Sequence, residues 1–233
     1  MRAKHPGLER ARALAQGYRA QLGARPLFAV DAARGSLYLY EQIGENWWSG
    51  KGTTAKMVAD ALAELKAKNI RSLDIFVNSP GGNIFEAKAI YAELRRFDGE
   101  RKVHVDGIAA SAASFIAMAG DTIVTAPAAT WMIHDVWAYG AGNAAEMRKL
   151  ADILELESAA FADVYAKRSK SKLDDVKAWM AAEEWMSAAT ALERGFTDEI
   201  SEADADTDDD DESSEDLEAA LRNAAQTLSA GRG

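Results

Sequence analysis

Between Leu27 and Ile200, short apolar runs alternate with stretches of helical period, and this rhythm restricts the chain to an α/β architecture. Phe28 to Val30 and Ser36 to Tyr40 read as strands, the second setting Leu37 and Leu39 against Tyr38 and Tyr40. Thr53 to Lys68 reads as a helix capped by Thr53 or Thr54, with Met57, Ala61, Leu62 and Leu65 on its inner face. Ser72 to Val77 is a buried-type strand closed by Asn78-Ser79-Pro80-Gly81-Gly82, a strong turn signal. A helix from Ile84 to Phe97 follows, its inner face carrying Ile84, Ala87, Ile90, Tyr91 and Leu94. The rhythm then repeats: a strand at Lys102 to Val105, a small-residue helix at Ala110 to Ala119, and strands at Thr122 to Thr125 and Thr130 to Ile133. Such spacing implies crossover connections between strands of one sheet. After Tyr139-Gly-Ala-Gly, a long helix is expected from Ala144 to Arg168, with Met147, Leu150, Leu154, Phe161 and Val164 as its apolar stripe. Its length suits protrusion toward another subunit. A last helix, Ser187 to Arg194, stops at Gly195, and Asp198 to Ile200 reads as a final strand.

The flanks read differently. Residues 1–26 form a basic, Ala-rich helical arm with little core potential, and residues 201–233 an acidic tail with a short terminal helix. Of the net charge of −10, the tail carries −9, so the body is nearly neutral. The run Asp204 to Ser214 is expected to be disordered. Neither part has the basic footprint of a nucleic-acid binder. Met1 to Gln21 lacks the apolar centre of a secretory signal. Gly107 to Ala119, the most apolar stretch, falls well short of the roughly 20 residues that span a bilayer. A soluble, cytoplasmic protein with no membrane partner is the expectation.

Composition narrows the chemistry. The chain has no cysteine, which excludes a disulfide framework, a thiolate metal site and a thiol nucleophile. The three histidines, His5, His104 and His134, include no His-x-x-x-His pair, so neither a metal nor a cofactor is expected. Amide hydrolysis would then need a hydroxyl nucleophile, a base and donors for the oxyanion. Ser111, in Gly107-Ile-Ala-Ala-Ser-Ala-Ala-Ser114, sits at a strand-to-helix junction where backbone N–H groups face developing negative charge. The bland alternative is a serine packed into the start of a small-residue helix. Ser114, one turn further in, is better suited to bonding back to the preceding turn. His134 closes the apolar run Trp131-Met-Ile, whereas His104 lies within a strand and His5 in the arm. Glu183, Glu184 and Asp135 are all open as the acid that orients the base; spacing alone does not choose among them.

Read together, Asn-Ser-Pro-Gly-Gly, Gly-x-Ala-Ala-Ser, Met-Ile-His and Trp-Met-Ser-Ala before Gly-Phe-x-Asp-Glu-Ile resemble the Clp protease family over Leu27 to Ile200. The Ala-Ala-Ser-Ala-Ala-Ser variant and the charged extension look most like the bacteriophage branch, the Clp-like head-maturation (prohead) proteases. The resemblance implies an α/β spiral of ββα units of the ClpP/crotonase type, with Ala144 to Arg168 as a handle helix. It implies a catalytic triad of Ser111, His134 and Glu183, the last at a position where most cellular members carry Asp. Backbone N–H groups of Gly82 and Ala112 would form the oxyanion hole, and Asn83 and Ile84 would bind an extended peptide. The implied partners are a polypeptide substrate (a capsid or scaffold protein), further copies in a homo-oligomeric ring, and a separate ATP-dependent unfoldase. Two other functions compete: a crotonase-like acyl-CoA enzyme on the same fold, and a catalytically inert capsid-assembly component. A Ser/Lys signal-peptide-peptidase relative would need a catalytic lysine that is not evident.

Overall fold

The structure is a computed structural model, and it describes residues 28–45 and 52–202. The helical arm expected over residues 1–26, and the expected tail beyond Glu202 with its short terminal helix, lie outside the described residues. Eight strands and six helices are seen among the described residues. In chain order they are β1 (Phe28–Asp31), β2 (Ser36–Leu39), α1 (Ala55–Ala67), β3 (Ser72–Ser79), α2 (Ile84–Arg96), β4 (Glu100–Ala110) and α3 (Ala112–Ala117). Then come β5 (Thr122–Thr125), β6 (Thr130–Ile133), α4 (Ala144–Ser169), α5 (Leu173–Ala181), β7 (Glu184–Ser187), α6 (Ala188–Glu193) and β8 (Glu199–Ile200).

The main path of the sheet is β1-β2-β3-β4-β5-β8, parallel apart from the β1/β2 hairpin. The strand β4 forks this sheet. Its first half pairs with β5 from Lys102 to Val105, and its last three residues, Ile108 to Ala110, pair with β6 instead. β7 then adds to β6 in the antiparallel sense. A register shift between β3 and β4, past Val77, accompanies the change of partner. The mixed α/β sheet with helices matches the fold class expected from the sequence.

The inner faces follow the helical period. α1 buries Val58, Ala61, Leu62 and Leu65, and Thr54 caps it by accepting from the Met57 amide. Val58 thus takes the inward position that the periodicity assigned to Met57. α2 buries Ala87, Ile90 and Leu94, and α3 is buried along its whole length. At 25 cal/mol per Å² of apolar surface, these side chains are the main source of stability. The helix α4 behaves in two ways. Its C-terminal half packs on the core through Phe161, Ala162 and Tyr165, whereas Ile153 and Leu156 in the first half are exposed. Asn143 and Glu146 close a reciprocal capping box at its start.

Two elements depart from the sequence reading. β4 runs on past Val105 to Ala110, and the next helix begins only at Ala112 rather than at Ala110. Small residues are suited to a strand flanked on both sides by β3 and β6, and that ladder outweighs alanine's helical preference. The segment 173–187, where the sequence reading placed no helix or strand before Ser187, folds as α5 and β7. The signal was there: Asp174 and Asp175 sit in the first turn of α5, and Val176 and Met180 recur one turn apart on its buried face. Among the described residues, no helix is long and apolar enough to cross a membrane.

Candidate active site

The polypeptide reverses between β4 and α3 at a single residue, Ser111, with φ 54° and ψ −126°. An L-residue held there stores strain on the order of 1–3 kcal/mol. Hydrogen bonds on both sides hold it. The Ser111 amide donates to the Met132 carbonyl at 2.8 Å, and its carbonyl accepts from the Ser114 amide at 3.0 Å. Gly81 lies directly beneath: a Cβ on it would stand 2.5 Å from the Ala110 oxygen and 2.8 Å from the Ser111 Cβ. The Pro-Gly-Gly turn touches the elbow because residue 81, at φ +86°, has no side chain.

His134 is the first residue beyond β6. Ala110 of β4 pairs with Met132 of β6 in a parallel ladder, so Ser111 and His134 emerge at the same carboxyl edge of the sheet. Open α/β sheets place their ligands at this edge. The His134 Nε2 lies 2.7 Å from the Ser111 Oγ, and the residue is 8% exposed. A neutral imidazole accepting the hydroxyl proton at Nε2 carries its own proton on Nδ1.

Glu183 lies in the turn from α5 into β7, also in the left-handed region at φ 55°. In the antiparallel β6/β7 ladder Ile133 faces Glu184, so His134 and Glu183 are the residues just beyond the paired ends of the two strands. The Glu183 Oε1 accepts from the Trp185 indole at 3.3 Å. The amides of Glu183 and Asp135 both donate to the Met180 carbonyl, at 3.1 and 3.2 Å, so the end of α5 pins the two strands together here. The other two carboxylates left open by the sequence are differently placed. Glu184 is ion-paired with Arg194 at 2.9 Å, and that guanidinium lies over the Trp179 ring. Asp135 lines a separate groove between α4 and α5, where desolvation pushes its carboxyl above the ordinary value.

The amides of Gly82 and Ala112 donate to no described group. A cavity of about 260 Å³ opens between Gly82, Ser111 and His134, walled by Ile84, Val136, Trp137, Tyr139 and Phe161. Sequence reasoning did not single out the last four as a wall; they come from a loop and a helix, and nothing local marks them. Asn83 does not line this cavity. Its side chain caps α2, accepting from the Phe85 and Glu86 amides, and its own amide donates to Ile43. His104 packs within the sheet, stacked on Phe76 with its Nε2 2.7 Å from Asp74. His5 lies outside the described residues.

A hydroxyl and an imidazole thus meet at one sheet edge, beside two amides that donate to no described group. Residues 44–204 match the family model described as Clp protease. The chain belongs to the Clp protease family. It is 26% identical over 147 residues to the ATP-dependent Clp protease proteolytic subunit 2 of Nocardia farcinica, covering 62% of this chain and 72% of that protein. It is 27% identical over 132 residues to the ATP-dependent Clp protease proteolytic subunit of Bacteroides fragilis, covering 56% of this chain and 64% of that protein. Clp protease relatives of this kind are serine peptidases that act on polypeptides as oligomeric rings.

Proposed function

We propose that this chain is a serine endopeptidase working through Ser111, His134 and Glu183 within an oligomeric ring. The observation that carries the reading is the 2.7 Å contact between the His134 Nε2 and the Ser111 Oγ at a strained elbow. As the Ser111 oxygen attacks the scissile carbonyl, His134 takes its proton. The carbonyl oxygen becomes an oxyanion, stabilised by the Gly82 and Ala112 amides. His134 then protonates the leaving amine, the acyl-enzyme forms, and water repeats the sequence in reverse. Glu183 holds the Nδ1–H tautomer and stabilises the imidazolium, one methylene longer than the Asp of most cellular members. An extended peptide would lie beside Gly82 and Ile84, its side chain toward the apolar wall of the cavity.

The substrate we assign is a capsid or scaffold protein of a bacteriophage. Support comes from the Ala-Ala-Ser-Ala-Ala-Ser segment and the charged extension, which resemble the head-maturation branch. Unfolding driven by ATP would fall to a separate partner. The test is labelling of the purified protein with a fluorophosphonate, read by mass spectrometry, alongside cleavage of casein and of a capsid precursor. The expected adduct is on Ser111, and it disappears in Ser111→Ala together with both cleavages. An unlabelled Ser111 in an assembled protein would favour a crotonase-like or inert role. Casein cleavage without capsid-precursor cleavage would remove the phage substrate and keep the protease.

A further inference from the structure

Two buried hydroxyls stand behind the elbow and take no part in the chemistry above. Ser114 on α3 is fully buried, and its Oγ donates to the Ser111 carbonyl at 2.6 Å. The same Oγ is 2.9 Å from the phenol oxygen of Tyr165 on α4, which is 1% exposed. A carbonyl can only accept, so the single Ser114 proton goes to Ser111 and Tyr165 is the donor of the second bond. Burial pushes the phenol far above its ordinary value, which keeps that donor protonated. The ring is fixed by an edge contact with Phe115, another with Phe161, and a tilted contact with Phe196 at 5.6 Å.

The carbonyl held in this way belongs to the same planar unit as the Ala112 N–H. Across a trans peptide the C=O and N–H point in opposite directions. Fixing the Ser111 oxygen on the core side therefore fixes where the Ala112 N–H points on the cleft side. We propose that Tyr165 and Ser114 form a positioning relay that aims the Ala112 amide at the oxyanion. The inference rests on the reading of Ser111 as nucleophile and Ala112 as oxyanion donor. Packing alone does not require it: alanine at 114 and phenylalanine at 165 would fill nearly the same space with no buried polar atom. Replacing both partners of a buried hydrogen bond by apolar groups of like shape is close to neutral for stability. A relay that serves the reaction should therefore show up in rate and not in folding.

The experiment compares wild type, Ser114→Ala, Tyr165→Phe, the double variant and Ser114→Thr. Each is measured for kcat and KM on a fluorogenic peptide, for thermal midpoint, and for affinity toward a tripeptide boronate, whose tetrahedral adduct places an oxygen in the oxyanion site. In the double variant we expect kcat and boronate affinity each to fall about tenfold, with KM and the thermal midpoint close to wild type. Ser114→Thr, which keeps the hydroxyl, should retain most of the activity. The two single losses should combine non-additively, since either one breaks the same chain of bonds. Wild-type kcat and boronate affinity in a folded double variant would overturn the relay and leave the protease reading standing. A wild-type protein that neither cleaves peptides nor takes up the boronate would overturn both.

Discussion

The Ser111 amide donates to the Met132 carbonyl at 2.8 Å, so the elbow is tied to the strand that ends one residue later at Ile133, with His134 just beyond it. The spacing of the hydroxyl and the imidazole is thereby set by one rung of a parallel ladder and not by the reach of two flexible side chains. Positioning of this kind is what converts an encounter between reacting groups into an effectively intramolecular step.

Removing either reacting side chain should abolish turnover without dismantling the fold. Ser111→Ala and His134→Ala are each expected to lower kcat/KM for peptide cleavage by roughly 10⁴ or more, and the double variant no further. Peptide hydrolysis together with light scattering checks both halves, activity and assembly. Cleavage surviving in Ser111→Ala would contradict the assignment.

The acid should be separable from its neighbours. Glu183→Gln keeps the shape but removes the charge of the proposed acid, and kcat is expected to drop by roughly 10² to 10⁴. Glu184→Gln and Asp135→Asn should stay within about threefold of wild type, since Glu184 already pairs with Arg194 and Asp135 faces another groove. The three rates, measured side by side at one pH, decide. A wild-type rate in the 183 variant would move the role elsewhere.

Gly81→Ala puts a methyl group against the Ala110 oxygen and the Ser111 Cβ, at a residue whose φ is +86°. Both the crowding and the backbone strain fall on the elbow. A destabilisation on the order of 3 kcal/mol is expected, which corresponds to a fall in Tm of roughly 6–12 °C for a chain of this size. Thermal unfolding by calorimetry reads it directly, and an unchanged Tm would show that the turn is not packed against Ser111.

The residue before β8 forms an acid-sensitive tie. Burial pulls the Asp198 carboxyl up, but hydrogen bonds and charge from Arg168, with a further bond from the Ile123 amide, outweigh it and leave the group below its ordinary value. A carboxylate whose pKa is lower folded than unfolded adds stability above the unfolded value, and that stability is lost as pH falls through the folded one. Asp198→Asn should therefore flatten the loss of stability below about pH 4 while lowering stability at neutral pH. Urea unfolding at several acidic pH values tests the sign, and a parallel displacement of the two curves would refute it.

Much of this was legible in the linear chain because it depends on local pattern. The period of Ala61, Leu62 and Leu65, a cap at Thr53 or Thr54, the glycine pair after β3 and the stop at Gly195 are properties of a few neighbouring residues. So was the candidacy of Ser111, since a small-residue turn between a strand and a helix marks itself. The end of β4 was not legible. Gly107 to Ala110 carry no strand signature, and they are extended because two other strands flank them. Nor were α5 and β7 read, although the helix had its acidic first turn.

Sequence by itself determined the α/β class, the site's candidate hydroxyl and histidine, and a choice of three carboxylates. Tertiary structure alone decided that β4 forks, that β6 ends beside it, and that β7 pairs with β6 so that Glu183 and His134 flank the paired ends while Arg194 occupies Glu184. The physical reason is range. Caps, turns and helical faces are settled by interactions within about four residues, whereas a ladder pairs residues that the chain keeps far apart, and its register is fixed only when the whole sheet closes over its core.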